Sequence, residues 1–298
     1  MKIGLDLGGT KIEAAAVDSE GKIHFRHRIS TPADYSSLVK SVAELARAAA
    51  NQSGAKLQIG IGMPGSESPA TGLVRNSNTQ YLNGKPLKRD LEAAIGGPVR
   101  LANDANCFTL SEALSGAGAG ARSVFGVIMG TGCGGGVVID GKLIEGANLI
   151  AGEWGHTPLP WQTPEEYPGA TCFCGRKGCL ELWLSGTGFE TDYKRLSGED
   201  LDGREIAARA MAGEALANKA LERLTDRLAR ALAVVADIFD PEVIVLGGGL
   251  SNVEAIYPLA NQKLPIHAFS DCYKPRIVKN QHGDSSGVRG AAWLWPDE

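Results

Sequence analysis

The sequence has no excess of basic residues, few aromatic residues and no long apolar run. Lys and Arg number 30 against 34 for Asp and Glu, and the resulting net charge of -4 provides no electrostatic attraction for nucleic acid or an anionic membrane. No apolar stretch reaches the length of a transmembrane helix. The chain opens with strand-like residues and no signal-peptide pattern, so we expect a cytoplasmic protein without nucleic-acid or membrane partners.

Cysteine is also scarce, and its six copies are unevenly distributed. Cys107, Cys133 and Cys272 are scattered in apolar or glycine-rich contexts, which is typical of reduced thiols in a cytoplasm. The other three lie close together in a segment, 153–181, that is too rich in proline and glycine for a long helix or a central strand. The sequence therefore concentrates its thiols in one irregular region.

Segment 153–181 contains the ligands for a metal ion. Three thiolates and one imidazole nitrogen complete a closed tetrahedral Zn²⁺ site, which has no open position for water and is structural. Glycines at 175 and 178 permit the positive-φ turns that would fold the thiols onto one ion. The predicted ligands are His156, Cys172, Cys174 and Cys179. Buried free cysteines beside an unrelated histidine are the alternative, and the close cysteine spacing favours zinc.

One supersecondary unit occurs twice along the chain. Residues 2–30 read as strand, glycine loop, strand, turn and strand, and residues 123–145 repeat that order. The repeat predicts two related domains. The boundaries drawn from the sequence are 1–117 plus 283–298 for an N-terminal α/β domain and 118–282 for a C-terminal α/β domain, which includes a zinc-binding segment at 156–179.

The two repeated loops combine glycines with a threonine. The glycines at 130, 132 and 135 match a dinucleotide-binding pattern, but that mechanism needs a helix after the loop, and β-branched residues 137–139 follow instead. Backbone N–H groups of glycine hairpin loops can still bind phosphate oxygens, whereas ordinary tight hairpins are the alternative. The predicted phosphate-binding residues are Gly8, Gly9, Thr10, Lys11, Gly130, Thr131 and Gly132.

Two further sites follow predicted buried strands. Gly247, Gly248 and Gly249 expose backbone that can lie flat against a base or sugar, although a plain strand-to-helix turn is the alternative. Asn103 and Asp104 stand where a strand gives way to a helix, and the carboxyl ends of parallel strands are where open α/β sheets bind ligands. Asp104 could equally be only an N-cap.

These motifs, taken together, resemble the ROK family (repressors, open reading frames and sugar kinases). The resemblance covers the whole chain in order, and its C-x-C-G-x-x-G-C-x-E block is highly specific. Three stretches, 102–107, 153–161 and 282–290, are similar to those of the bacterial fructokinases of this family, also described as manno(fructo)kinases. The resemblance implies an α/β protein with the actin-like ATPase (ribonuclease H-like) fold, two related domains with a cleft between them, and a homodimer.

The resemblance also implies a reaction and a role for each motif. The reaction is ATP-dependent phosphorylation of a hexose at its 6-hydroxyl, with fructose converted to fructose 6-phosphate. Asp104 would act as the base and Asp6 would hold Mg²⁺, while the loops at 8–11 and 130–132 would bind the phosphates and 247–249 the adenosine. The residues implied to hydrogen-bond the sugar are Asn103, Asp104, Glu153, His156 and Glu181. His156 would serve both zinc and sugar.

Other activities within this family stay open at the level of sequence. Mannose, glucose and N-acetylglucosamine are alternative substrates, and N-acetylmannosamine is a more distant one. A non-catalytic sugar sensor is disfavoured, because Asp6, Asp104 and both phosphate loops are present. The repressors of the family carry an N-terminal helix-turn-helix domain, and the sequence has no such basic segment before its first strand.

Overall fold

The chain divides into two structural units in the computed structural model, which describes residues 1–296. The first unit contains Met1–Gly120, Gly136–Gly152 and residues 282–296. The second contains Ala121–Gly135 and Glu153–Gln281. The sequence-based boundaries differ by assigning 118–120, 136–152 and 282 to the C-terminal domain. Their last two residues, 297 and 298, lie outside the described residues. The functional domain boundaries stay a prediction.

The first sheet has the strand order β3-β2-β1-β4-β7. Its strands are β1 (Lys2–Leu7), β2 (Lys11–Val17), β3 (Ile23–Ser30), β4 (Ile59–Met63) and β7 (Val99–Asn103), and a separate pair is formed by β5 (Ser66–Glu67) and β6 (Val74–Arg75). Strands β1 to β3 are antiparallel, whereas β4 and β7 continue parallel to β1. The helices of this unit are α1 (Tyr35–Ser53), α2 (Leu87–Ile95), α3 (Asp104–Ser115) and α9 (Ser286–Ala292).

The second sheet has the order β10-β9-β8-β11-β12. Its strands are β8 (Ser123–Met129), β9 (Cys133–Ile139), β10 (Lys142–Leu143), β11 (Val243–Gly247) and β12 (Ile277–Lys279). The helices are α4 (Glu181–Leu184), α5 (Gly186–Ser197), α6 (Gly203–Met211), α7 (Ala215–Phe239) and α8 (Ile256–His267). Both sheets thus place a hairpin-connected set beside two further parallel strands, and the repeat predicted from the sequence is confirmed.

Helix α1 shows how local sequence sets the elements. The side chain of Asp34 accepts a hydrogen bond from the Ser37 N–H at 2.9 Å and so begins the helix, and Gly54 ends it in the left-handed conformation. Its apolar face, including Leu38 and Val42, is fully buried against the sheet strands of the same core. Among residues 1–296, no helix is both long enough and apolar enough to span a membrane.

Two glycines allow helix α9 to pack directly on the first sheet. A Cβ atom at Gly4 would overlap the backbone oxygen of Val288, and one at Gly60 would overlap that of Ala291. Because neither strand has a side chain at these positions, the helix backbone lies against β1 and β4. This close packing brings the start of α9 to the carboxyl end of β1.

The structure corrects two details of the sequence-based elements. The glycine-rich run 130–136 predicts a loop from the sequence, but β9 already begins at Cys133. Gly136 lies so close to α3 that a Cβ there would be 2.9 Å from the Ala105 oxygen. The helical spacing of residues 207–239 predicts a single helix from the sequence, whereas the structure has two helices, α6 and α7. The break follows from Gly213, whose φ of 90° is incompatible with a continuous helix.

A buried ion cluster ties segment 153–181 to helix α7. Glu166 Oε1 accepts hydrogen bonds from Arg227 Nε at 2.8 Å and from Arg230 Nη2 at 2.9 Å. Arg227 also contacts Asp192, with 3.0 Å between Nη1 and Oδ2, and lies 4.5 Å from the centre of the Trp183 ring. Burial alone would raise the pKa of Glu166, but the hydrogen bonds from both arginines hold this pKa at about 2.

We expect the cluster to dominate the acid stability of the second unit. Since the pKa of Glu166 is lower in the folded chain than its ordinary 4.5, its stabilisation is present above pH 4.5 and is lost as the pH falls toward 2. Arg227→Met leaves the buried carboxylates of Glu166 and Asp192 with one fewer partner. The free energy of unfolding should therefore fall by about 3–5 kcal/mol at neutral pH. In this variant, the free energy of unfolding should also decrease less steeply as the pH is lowered. Urea denaturation measured from pH 7 down to the onset of acid unfolding tests both expectations.

The matched control is Arg209→Met. Arg209 forms ion pairs with Glu199 and Glu205 on the surface, and such pairs contribute about 0–1 kcal/mol. Equal losses in the two variants would contradict the structural role assigned to the cluster.

Candidate functional site

Asp6 occupies the carboxyl end of β1 in the first unit. It pairs with Gly62 of β4, and a Cβ atom at Gly287 would lie 2.9 Å from its Oδ2 atom. Burial raises the pKa of Asp6 to about 7, with a further increase from the neighbouring charges of Asp104 and Glu13 and an opposing effect of nearby basic groups. Because burial and neighbouring carboxylates destabilise the charged form of Asp6, a bound cation would stabilise it. Carboxylate oxygens are the ligands that Mg²⁺ prefers.

Asn103 and Asp104 form the junction between β7 and α3. The N-cap of α3 is Asn103, whose Oδ1 accepts from the Ala105 N–H at 2.8 Å and whose Nδ2 donates to the Gly65 oxygen at 3.3 Å. Asp104 is the first helical residue, and its Oδ1 also accepts from the Ala105 N–H at 2.8 Å. Asp104 is therefore not the N-cap, and its exposed carboxylate lies at the helix N-terminus.

The glycine loop of the first unit joins two strands, as the sequence predicts. The Gly8 N–H donates to the Lys11 oxygen at 2.9 Å, and a Cβ atom at Gly8 would lie 2.9 Å from that oxygen, so the turn requires glycine. Thr31 Oγ1 donates to the Gly8 oxygen at 2.7 Å and fixes the loop. Lys11 Nζ lies 3.6 Å from Asp284 Oδ2, and both side chains are exposed. Asp284 is a neighbour that motif spacing did not reveal.

The second unit brings its two predicted nucleotide-binding loops together. Within the loop after β8, the Gly130 N–H donates to the Gly132 oxygen at 3.0 Å, and the Gly130 oxygen accepts from the Gly186 N–H at 2.7 Å. A Cβ atom at Gly248 would lie 2.8 Å from the Gly130 nitrogen. The glycines after β11 thus pack against the loop after β8, which explains why that turn needs them.

A cavity of about 830 Å³ opens beside these loops. Its apolar lining includes Met211, Leu250 and Val253, and the volume is within the range of small-molecule sites. Sequence reasoning identified Gly130, Thr131 and Gly249 but missed the polar residues contributed by α5, α6 and the turn after β11. These are Thr187, Glu190, Asp202, Arg204, Asn252 and Glu254. They carry no motif, since their proximity arises only when the helices pack.

The four predicted metal ligands lie together in the second unit. Their donor atoms are all within 4.8 Å of one another, with 3.6 Å between His156 Nδ1 and Cys172 Sγ and 3.6 Å between the sulfurs of Cys174 and Cys179. Gly175 and Gly178 have φ of 85° and 69°, as predicted. Three thiols and one imidazole nitrogen at these separations fit a tetrahedral ion of the zinc type.

Glu181 connects this cluster to the glycine loop. Its Oε2 accepts from the Cys133 N–H at 3.2 Å, and its Oε1 lies 3.9 Å from Cys172 Sγ. A Cβ atom at Gly132 would be 2.6 Å from Oε2, so glycine at this position admits the carboxylate. Glu153 is partly buried and directly precedes the short helical turn Trp154–His156. The second unit therefore places Glu181 beside the metal ligands, which include His156.

Comparison with known proteins gives matches over the whole chain. The family model described as the ROK family matches residues 2–298. The chain is 43% identical over 299 residues, covering 99% of both sequences, to a protein of Photobacterium profundum named N-acetyl-D-glucosamine kinase. It is similar to the ROK hexokinase from Thermus thermophilus, with a TM-score of 0.87, 32% identity and coverage of 98% of this chain and 97% of that one.

A ROK family glucokinase from Streptomyces griseus, solved with glucose and AMPPNP, is also similar. Its TM-score is 0.80 at 28% identity, with 98% of each chain covered. These similarities confirm the predicted α/β fold of the actin-like ATPase type with two related domains. The chain belongs to the ROK family.

Proposed function

We propose that this protein transfers the γ-phosphoryl group of ATP to the 6-hydroxyl of a free hexose. The observation that carries the proposal is the 830 Å³ cavity of the second unit, which is bounded by two glycine loops able to bind phosphate and adenosine. The names of the relatives support the same reaction class, because they are sugar kinases. In this unit, Thr131 and the N–H group of Gly132 are proposed to donate hydrogen bonds to the phosphates, while Gly130, whose N–H already donates to the Gly132 oxygen, shapes the loop.

Asp104 is the proposed general base. Its exposed carboxylate can accept the proton of the sugar 6-hydroxyl as the hydroxyl oxygen attacks the γ-phosphorus and the bond to ADP breaks. Asp6 would hold Mg²⁺ through water, and the bound ion would neutralise charge on the phosphates. In the first unit, the loop from Gly8 to Lys11, with Gly9 and Thr10 at its tip, would bind phosphate oxygens.

The remaining predicted residues are proposed to bind the sugar. Asn103, Glu153, His156 and Glu181 supply hydrogen-bonding groups for its hydroxyls. We propose zinc as the ion of the cysteine cluster, where it would be structural. Because His156 Nδ1 faces the thiols, the ion would fix the imidazole and leave Nε2 for a substrate hydroxyl.

Two hexoses are supported by different observations. Fructose is supported by the similarity of three sequence stretches to the bacterial fructokinases of the family. N-acetyl-D-glucosamine is supported by full-length relatives of that name, which are 41–44% identical to this chain. Selectivity among hexoses depends on a few hydrogen bonds, so an experiment must decide between fructose and N-acetyl-D-glucosamine. A homodimer stays a prediction from the family resemblance and is testable by sedimentation.

The sugar is tested by a coupled assay of ADP release with Mg-ATP. We expect kcat/KM to be highest for fructose or N-acetyl-D-glucosamine when these are compared with mannose and glucose. A clear lead for either candidate identifies the substrate, and a lead for mannose or glucose would overturn both. Absence of ADP release with all four would favour a non-catalytic sugar sensor.

The base is tested by Asp104→Asn. The amide keeps the shape of the side chain but cannot accept the proton, so kcat should fall by about 10²–10⁴-fold while sugar binding persists. Asp200→Asn, at an exposed ion pair with Lys194, is the control and should leave kcat unchanged. Turnover close to that of the unaltered protein in Asp104→Asn would remove this residue from the base role.

The metal is tested by elemental analysis of the purified, folded chain. We expect about one Zn per chain, since four protein donors complete its coordination. Cys172→Ser should lose most of this zinc and lower the melting temperature, whereas Cys272→Ser, at an exposed cysteine outside the cluster, should retain it. Zinc far below one equivalent in the folded, unaltered chain would contradict the assignment.

A further inference from the structure

A second cavity, of about 380 Å³, lies entirely within the first unit beside the edge strand β7. Its volume falls within the range of small-molecule sites. Asn103 lines it, but Asp104 and the glycine loop at 8–11 are not among its lining residues. The cavity therefore shares Asn103 with the proposed sugar-binding residues but is separate from Asp104 and from the glycine loop assigned to phosphoryl transfer in this unit.

Asn106, in the first turn of α3, is one of the polar residues that line this cavity. Its exposed fraction is 6%, and its Oδ1 atom accepts no hydrogen bond from the described residues. A buried carbonyl oxygen of this kind is costly to leave without a donor, because it has lost its hydrogen bonds to water. A molecule in the cavity that carries a hydroxyl group would remove that cost.

The charges around the cavity are balanced. Glu67 and Glu145 contribute two carboxylates, and Lys88 and Arg100 contribute two cations. Burial raises the pKa of Glu145, and Arg100 and Lys88 oppose the increase. Arg100 is held in place, because its Nη1 donates to the Leu294 oxygen at 2.6 Å. An anionic ligand would be repelled by the two carboxylates, and a cationic ligand would be repelled by Lys88 and Arg100. The lining therefore favours an uncharged molecule.

One wall of the cavity is apolar. Leu101, Leu149 and Leu294 line it, and Leu149 adopts a φ of 51°, a left-handed conformation that is uncommon outside glycine. A sugar ring presents C–H groups on one face and hydroxyls at its edge. Those hydroxyls can donate to Asn106 and the carboxylates and accept from Lys88, which matches the distribution of lining groups.

We propose that this cavity is a second site, which binds an uncharged polyhydroxylated molecule of the free-sugar class without phosphorylating it. The choice of sugar as ligand rests on the proposed function, whereas the presence of the site rests on the cavity itself. Asn106 lies in the same helical turn as Asp104, so a ligand here would contact the helix that carries the proposed base. The site therefore offers the sugar a way to influence its own phosphorylation.

The test is equilibrium dialysis with radiolabelled fructose and, separately, N-acetyl-D-glucosamine, in the absence of ATP. We expect about two bound sugars per chain at saturation in the unaltered protein. Leu149→Trp fills the cavity and should lose one of them while ADP release at low sugar is retained. Glu145→Gln, which removes an acceptor charge without a change of shape, should weaken the same binding event.

Ile150→Trp is the matched control, since Ile150 is the next residue of the same loop, is exposed and does not line the cavity. It should bind both sugars. One sugar per chain in the unaltered protein would overturn the proposal, and so would two sugars per chain in Leu149→Trp together with unchanged affinity in Glu145→Gln. Loss of sugar binding together with ADP release would also overturn it, because the cavity would then belong to the substrate site. If no hexose is phosphorylated but Leu149→Trp still loses a bound sugar, the proposed function fails and the site stands.

Discussion

The placement of segment 153–181 depends on buried charge, because the segment has almost no regular secondary structure of its own. Glu166 is held between Arg227 and Arg230, and Arg230 Nη1 also donates to the oxygens of Pro160 and Trp161 at 2.9 Å. Helix α7 therefore acts as a rigid support with its guanidinium groups directed at the segment. A metal ion at the cysteine cluster would hold the segment at a second point. The buried ion cluster and the metal ion together would then fix the positions of His156 and Glu181.

Close backbone approach is the second constraint, and it operates in both units. Gly60 admits helix α9 to the first sheet, Gly132 admits the Glu181 carboxylate, and Gly248 admits the loop at Gly130. In each case a side chain would occupy the space that a functional element requires. The many glycines of this chain are thus partly explained by packing around sites, in addition to turns.

Sequence reasoning succeeded where a function needs a short local pattern. The cysteine cluster, the glycine loops and the repeated strand order were all predicted, because the residues that form each are close in sequence or recur in the same order. Sequence reasoning missed residues that are far apart along the chain and become neighbours only in the folded structure. Glu254 and Asp202 line the large cavity of the second unit, and Asn106 and Glu145 line the smaller one of the first, although the sequence assigned none of them a role.

The sequence by itself determined the duplicated strand unit and predicted the metal-ligand set, since glycine placement and thiol spacing are local properties, and its resemblance to the ROK family implied the fold class. Tertiary structure decided the rest. Whether Asp104 or Asn103 caps α3 depended on the path of the chain from β7, and the raised pKa of Asp6 depended on burial and on neighbouring carboxylates. Burial and electrostatic interaction are set by residues far apart along the chain, and only packing brings them within range.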